Sequence, residues 1–113
     1  MPNESCCLWE AEQYDDSLKS MFMAEEAYAN GNKAKALAYI KAQVEDRIPL
    51  INLRAIHECG RNVDLPKGLA ESLSELGKEI EQEKPYEEIH KKVMEIDRKY
   101  AVKGYQAFHR CML

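Results

Sequence analysis

Residues 32–60 read NKAKALAYIKAQVEDRIPLINLRAIHECG. Leu37, Ile40, Val44, Ile48, Ile51 and Ala55 recur in this stretch at steps of three and four. Such a repeat draws one apolar stripe down one face of a helix. Asn32 suits its start, because an asparagine side-chain oxygen accepts from an orphan N–H of the first turn. Gly60 suits its end, where a left-handed residue is commonly glycine. Pro49 lies inside the stripe; it removes a backbone donor, and its ring crowds the carbonyl of Glu45. Yet the stripe keeps its phase from Val44 and Ile48 to Ile51 and Ala55. The stretch is therefore read as one long helix, kinked near Glu45–Pro49.

Upstream, a first helix over Ser5–Asn30 follows from Ala11, Tyr14, Leu18, Met21 and Tyr28, with Phe22 beside them. Ser5 suits its cap; Asp15 or Asp16 suits a shorter version. Asn30-Gly31-Asn32 then reads as a stop and a restart. So tight a connection lays the first two helices antiparallel.

Downstream, Asp64 suits the cap of a third helix with Pro66 in its first turn. Leu65, Leu69, Leu73, Leu76 and Ile80 form its stripe, and it ends near Glu81–Glu83. Gly68 and Gly77 weaken it by about 1 kcal/mol each relative to alanine. The fourth helix opens at Pro85 and carries Tyr86, Ile89, Val93, Ile96 and Tyr100. Glu87–Lys91, Glu88–Lys92 and Glu95–Lys99 form favourable pairs four apart on it. Past Tyr100 the phase drifts to Ala101, Tyr105, Phe108 and Met112, beginning near Gly104. No segment has the alternating, β-branched pattern of a strand. The expected fold is all-α: an antiparallel up-down four-helix bundle of unequal helices, one domain over 1–113. The run AEEAYANGNKAKALAYIKA resembles half of a tetratricopeptide hairpin. It occurs once, and such repeats need several copies to bury their faces. It is read as a generic helical hairpin.

The 113 residues are 45 % apolar and 32 % charged, with 20 acidic and 16 basic side chains and a net charge of −4. That balance suits one soluble domain with solvated helix faces. The signs are mixed along nearly every segment, so no nucleic-acid partner is expected. The basic tail after Asp97 is read as a helix end complementing its own dipole. No apolar window of about 18 residues is present, so no membrane span is expected. The acidic N-terminus lacks a signal-peptide pattern, and the expected location is the cytoplasm. There, cysteines stay reduced unless they bind metal or do redox work.

Helix lengths suggest where a partner sits. At 1.5 Å per residue, helices one, two and four span about 40 Å and the third only about 25 Å. If the third descends from the end of the second, it stops short of the first hairpin. Phe22, Tyr28, Leu37 and Ile40 are then uncovered, and Tyr105, Phe108 and Met112 overhang the other end. Exposed apolar patches of that kind mark partner surfaces, here a second copy in a homodimer.

The same topology collects Cys6, Cys7, His57, Cys59, His109 and Cys111 at one end. Thiolates with imidazoles favour zinc. Against this, no C-x-x-C occurs, and residues two apart point about 200° apart on a helix. The preferred reading is small buried hydrophobes at helix ends, with no cofactor. Glu87 and His90 match the E-x-x-H spacing of bundle di-iron sites, but its second histidine has no counterpart. His90 is read as part of a solvated face. No nucleophile, phosphate-loop or dinucleotide motif is present, so no catalysis is expected. The expectation is a non-catalytic, self-associating interaction module: an adaptor, small chaperone or regulatory subunit. The alternative is a metal- or thiol-dependent sensor built on the Cys/His set.

Overall fold

Capping chemistry first divides the chain. Asn32 accepts a bond from the backbone N–H of Lys35 at 3.1 Å. Gly31 takes a φ of +80°, and the N–H groups of Gly31 and Asn32 donate back to Tyr28 and Ala27. This is the closing pattern of a helix whose last carbonyls would otherwise be orphaned. In the computed structural model, backbone is described for residues 4–59 and 67–112. Side chains are described there except at 4–7, 10, 55–59, 67, 103–105, 107–108 and 110–112. The elements are α1 (Glu4–Ala29), α2 (Lys33–Lys41), a π segment (Ala42–Arg47), α3 (Ile48–Cys59), α4 (Lys67–Glu81) and α5 (Tyr86–Met112). Among the described residues all regular structure is helical. Because α2, the π segment and α3 are continuous, they form one rod, and four rods pack against each other.

The π segment stands where the proline kink is expected. The N–H of Ile48 reaches the carbonyl of Gln43, five residues back and one further than in an α-helix. The next donor in that ladder belongs to residue 49, a proline, which has none. The wide turns end where the donor runs out, and the rod continues as α3. Pro49 thus does not break the helix.

Paired contacts give the register of neighbouring rods. Gln43 meets Ser17 and Ser20, joining the π segment to α1. Ile40 of α2 lies against Gly77 of α4. Gly68 at the start of α4 lies against Tyr100 of α5, and Lys92 of α5 pairs with Glu75 of α4 at 2.8 Å. Glu25 of α1 binds Tyr86 and His90 of α5. The core between the rods holds Tyr14, Leu18, Met21, Ile40, Ile48, Ile51, Leu69, Leu73, Leu76, Ile80, Ile89, Val93, Ile96 and Tyr100.

Two expectations are corrected here. Lys92 reaches Glu75 on the adjacent rod, not Glu88 on its own, because 2.8 Å across the rod interface outweighs a solvated pair four residues away. And three of the four first-hairpin residues expected to lie bare, Tyr28, Leu37 and Ile40, are covered, whereas Phe22 stays exposed. The turn after α4 closes on Glu83, at a φ of +55°, and Lys84 donates to Glu79 as Glu83 donates to Ile80. Lys33 holds this turn through the carbonyl of Glu81 and the carboxylate of Glu83, and Tyr28 donates to the carbonyl of Lys84. The α4 rod therefore reaches the lower end; Ile40 is buried, and Tyr28 and Leu37 are half-buried against the core.

The two glycines of α4 have a packing reason. A β-carbon on Gly68 would sit 2.6 Å from the hydroxyl of Tyr100, and one on Gly77 would sit 3.2 Å from a methyl of Ile40. Tyr100 is itself buried, so it has little room to yield. Overpacking costs about 1–3 kcal/mol, against about 1 kcal/mol of helix propensity gained. Gly68→Ala is therefore expected to lower stability by up to a net ~2 kcal/mol in urea unfolding. Gly77→Ala, with the longer contact, is expected to fall near neutral.

Candidate functional site

At the upper end the rods differ in reach. Gly68 begins α4 beside Tyr100, whereas α5 continues to Met112 and α3 to Cys59. Among the described residues, four of the seven exposed large apolar side chains lie towards that end, the others being Phe22, Met23 and Tyr86. Leu50 is 57 % exposed, Leu53 55 % and Leu8 48 %, and Val102 is exposed on α5. Ile48 and Ile51 face inward on the same helix, so Leu50 and Leu53 belong to its outer side. Between α3 and the start of α1 runs an open groove of about 480 Å³, lined by Trp9, Gln13, Asp46, Arg47, Leu50 and Arg54 among others.

A polar layer holds this face in place. Gln43 is buried in the π segment; it accepts from the hydroxyl of Ser17 at 3.2 Å and donates to that of Ser20 at 2.9 Å. One turn on, Arg47 donates to Asp16 at 2.8 Å and to Gln13 at 3.2 Å. Buried polar groups tolerate few geometries, since each lost partner leaves a desolvated atom. The base of α3 is thereby registered on α1, and Leu50 and Leu53 are presented by a positioned helix.

A second cluster lies at the lower end. One oxygen of the buried Glu25 carboxylate accepts from the Tyr86 hydroxyl at 3.1 Å and from Nδ1 of His90. The rings of Tyr86 and His90 stack with centroids 5.9 Å apart. His90 remains exposed, as the charged helix face implies, but it also ties α5 to α1. The hydrogen bond to Glu25 pushes the Tyr86 phenol above its usual range; burial and the charges of Glu25 and Glu87 act in the same direction. A raised value means that the folded state holds this proton more tightly than the unfolded state. Its contribution to stability is present below the ordinary phenol range and lost as pH climbs through the raised value. Ultraviolet titration, with Tyr86→Phe isolating the signal, is expected to show late ionisation that Glu25→Gln brings back down.

Of the sequence-predicted partner residues, Phe22 is exposed on α1, whereas Ile40, Leu37 and Tyr28 are engaged as described above. Tyr105, Phe108 and Met112 belong to α5, with side chains outside the described residues. So do the side chains of Cys6, Cys7, His57, Cys59 and Cys111; His109 is exposed on α5. Among the described residues no group of three or more His, Cys, Asp or Glu is disposed to hold a metal ion. Nor is any described helix long and apolar enough to cross a membrane.

No family model, curated protein or solved structure matches this chain.

Leu8, Leu50 and Leu53 escape a reading based on stripes. The signal was present: a leucine on the side opposite Ile48 and Ile51 has no core to enter. The polar layer of Ser17, Ser20, Gln43 and Arg47 carries no such signal, because its members lie on different rods.

Proposed function

We propose that this chain is a non-catalytic protein-interaction module that self-associates as a homodimer, built as an antiparallel up-down bundle with unequal rods. The topology is supported by pairings whose residue numbers run in opposite directions on three of the neighbouring pairs. Gln43 meets Ser17 while Arg47 meets Gln13; Gly77 meets Ile40 while Glu81 meets Lys33; Gly68 meets Tyr100 while Glu75 meets Lys92. The interaction role rests on one observation: Leu50 and Leu53 stand exposed on the outer side of α3, beside an open groove that Leu50 lines. Apolar side chains scattered singly need no explanation, but a cluster beside a groove marks a surface that gains by association. Sedimentation equilibrium on the purified chain tests the reading. A dimer in the micromolar range is expected; monomer alone at high micromolar concentration overturns it.

A further inference from the structure

We infer that His90 is a phosphoryl-accepting histidine, whose Nε2 is presented as a nucleophile to a donor of the phosphoramidate or acyl-phosphate class. Such a modification is separate from self-association and stands whether or not the chain dimerises. One oxygen of Glu25 meets both the Tyr86 hydroxyl and Nδ1 of His90. An ionised carboxylate only accepts hydrogen bonds, so the proton of the neutral ring sits on Nδ1 and the lone pair on Nε2. Nε2 lies across the ring from Nδ1 and so points away from Glu25. Glu25 is buried, whereas the His90 side chain is 51 % exposed. The Tyr86 ring stacks on the imidazole and holds its plane. A buried acid gripping one ring nitrogen while the other is left open is the arrangement that makes histidine a nucleophile. The class of electrophile follows from charge. When Nε2 attacks phosphorus, a bond forms between them and the leaving group departs with its electron pair. The ring keeps its Nδ1 proton and becomes an imidazolium. With phosphoramidate the P–N bond breaks and ammonia leaves, so no further proton, oxidant or reductant is needed. The positive ring that results lies against the buried Glu25 carboxylate, where attraction is stronger than in water. Lys91, the next residue, is exposed, and α5 begins at Tyr86 one turn earlier. An ammonium and the positive end of a helix thus stand close to arriving phosphoryl oxygens. Acyl transfer would also form an imidazolium, but it brings no anionic oxygens for these two groups. Glu26 and Glu87 are exposed nearby and oppose a highly charged donor, which favours zwitterionic phosphoramidate.

The test treats the full chain with potassium phosphoramidate and follows intact mass, with peptide mapping to locate the added group. His90 is expected to be phosphorylated at least about tenfold faster than N-acetylhistidine in the same solution, and than His109, which is exposed on the same helix. Phosphorus NMR tells the two ring nitrogens apart and is expected to place the group on Nε2. Glu25→Gln keeps the shape and removes the charge, and is expected to slow the reaction about tenfold. Glu25→Ala also releases Nδ1 and is expected to give a mixture of Nδ1 and Nε2 products, which a merely structural role would not produce. His90→Asn is expected to abolish uptake at this position. Circular dichroism checks that each variant keeps its helices. If a Glu25 variant fails to fold, the rate at His90 and the nitrogen modified in the parent still decide. Equal rates at His90, His109 and N-acetylhistidine overturn the assignment. So does phosphorylation of Nδ1 in the parent, an unchanged rate in folded Glu25→Gln, or no uptake at His90. Sedimentation of the untreated chain reads self-association separately, so the two proposals fail independently.

Discussion

Replacing Leu73 with alanine is expected to cost about 2–5 kcal/mol of folding stability. Leu73 has no exposed surface, and it stands in the middle of the unbroken series Leu69, Leu73, Leu76 and Ile80 on α4. The truncation loses the transfer free energy of the removed carbons and leaves a void that the neighbouring rods fill only in part. Domains are stable by roughly 0.05–0.15 kcal/mol per residue, so one such change removes a large share of the total. The comparison that gives the number meaning is Leu50→Ala. That leucine is also helical but mostly exposed, and its loss is expected to stay within about 0.5 kcal/mol in the monomer. Chemical denaturation of both variants, at a concentration where sedimentation shows monomer, makes the test. Equal losses at the two positions would contradict the assignment of α4 to the core.

The second large effect is expected at Gln43. Gln43→Leu keeps the size of the side chain and removes the amide that joins Ser17 to Ser20. The Ser17 hydroxyl is fully buried, so its desolvation then goes uncompensated, at about 1–3 kcal/mol. Adding Ser17→Ala to Gln43→Leu removes both partners, and much of the loss is expected to return. A double-mutant cycle measures this directly: a coupling energy near zero would mean that the amide and the hydroxyl do not depend on one another. Because the same layer registers α3 on α1, Gln43→Leu is also expected to weaken the proposed self-association through a surface that it does not itself touch.

What could be read from the chain alone is what depends on near neighbours along it. The stripes, the Asn32 cap and the Gly31 turn follow from steps of three and four residues and from single-residue backbone preferences. They suffice for an all-helical chain whose rods turn close to the predicted places at 30–32 and 82–85; the expected stop at Gly60 and start at Asp64 and Pro66 lie outside the described residues. The lateral register was not legible, because it depends on which rod meets which and at what height. Gly68 and Gly77 read as weak points of a helix, yet they are where Tyr100 and Ile40 approach most closely. His90 reads as solvated, yet it shares a buried carboxylate with Tyr86. Pro49 reads as a kink, yet its missing donor marks the end of a π segment that turns Gln43 inward. Only the tertiary structure decided that the turn after α4 closes over Tyr28 while Leu50 and Leu53 of α3 stay exposed. The physical reason is that periodicity tells each helix which side to bury, while its height against a neighbour is chosen by contacts between residues far apart in the chain.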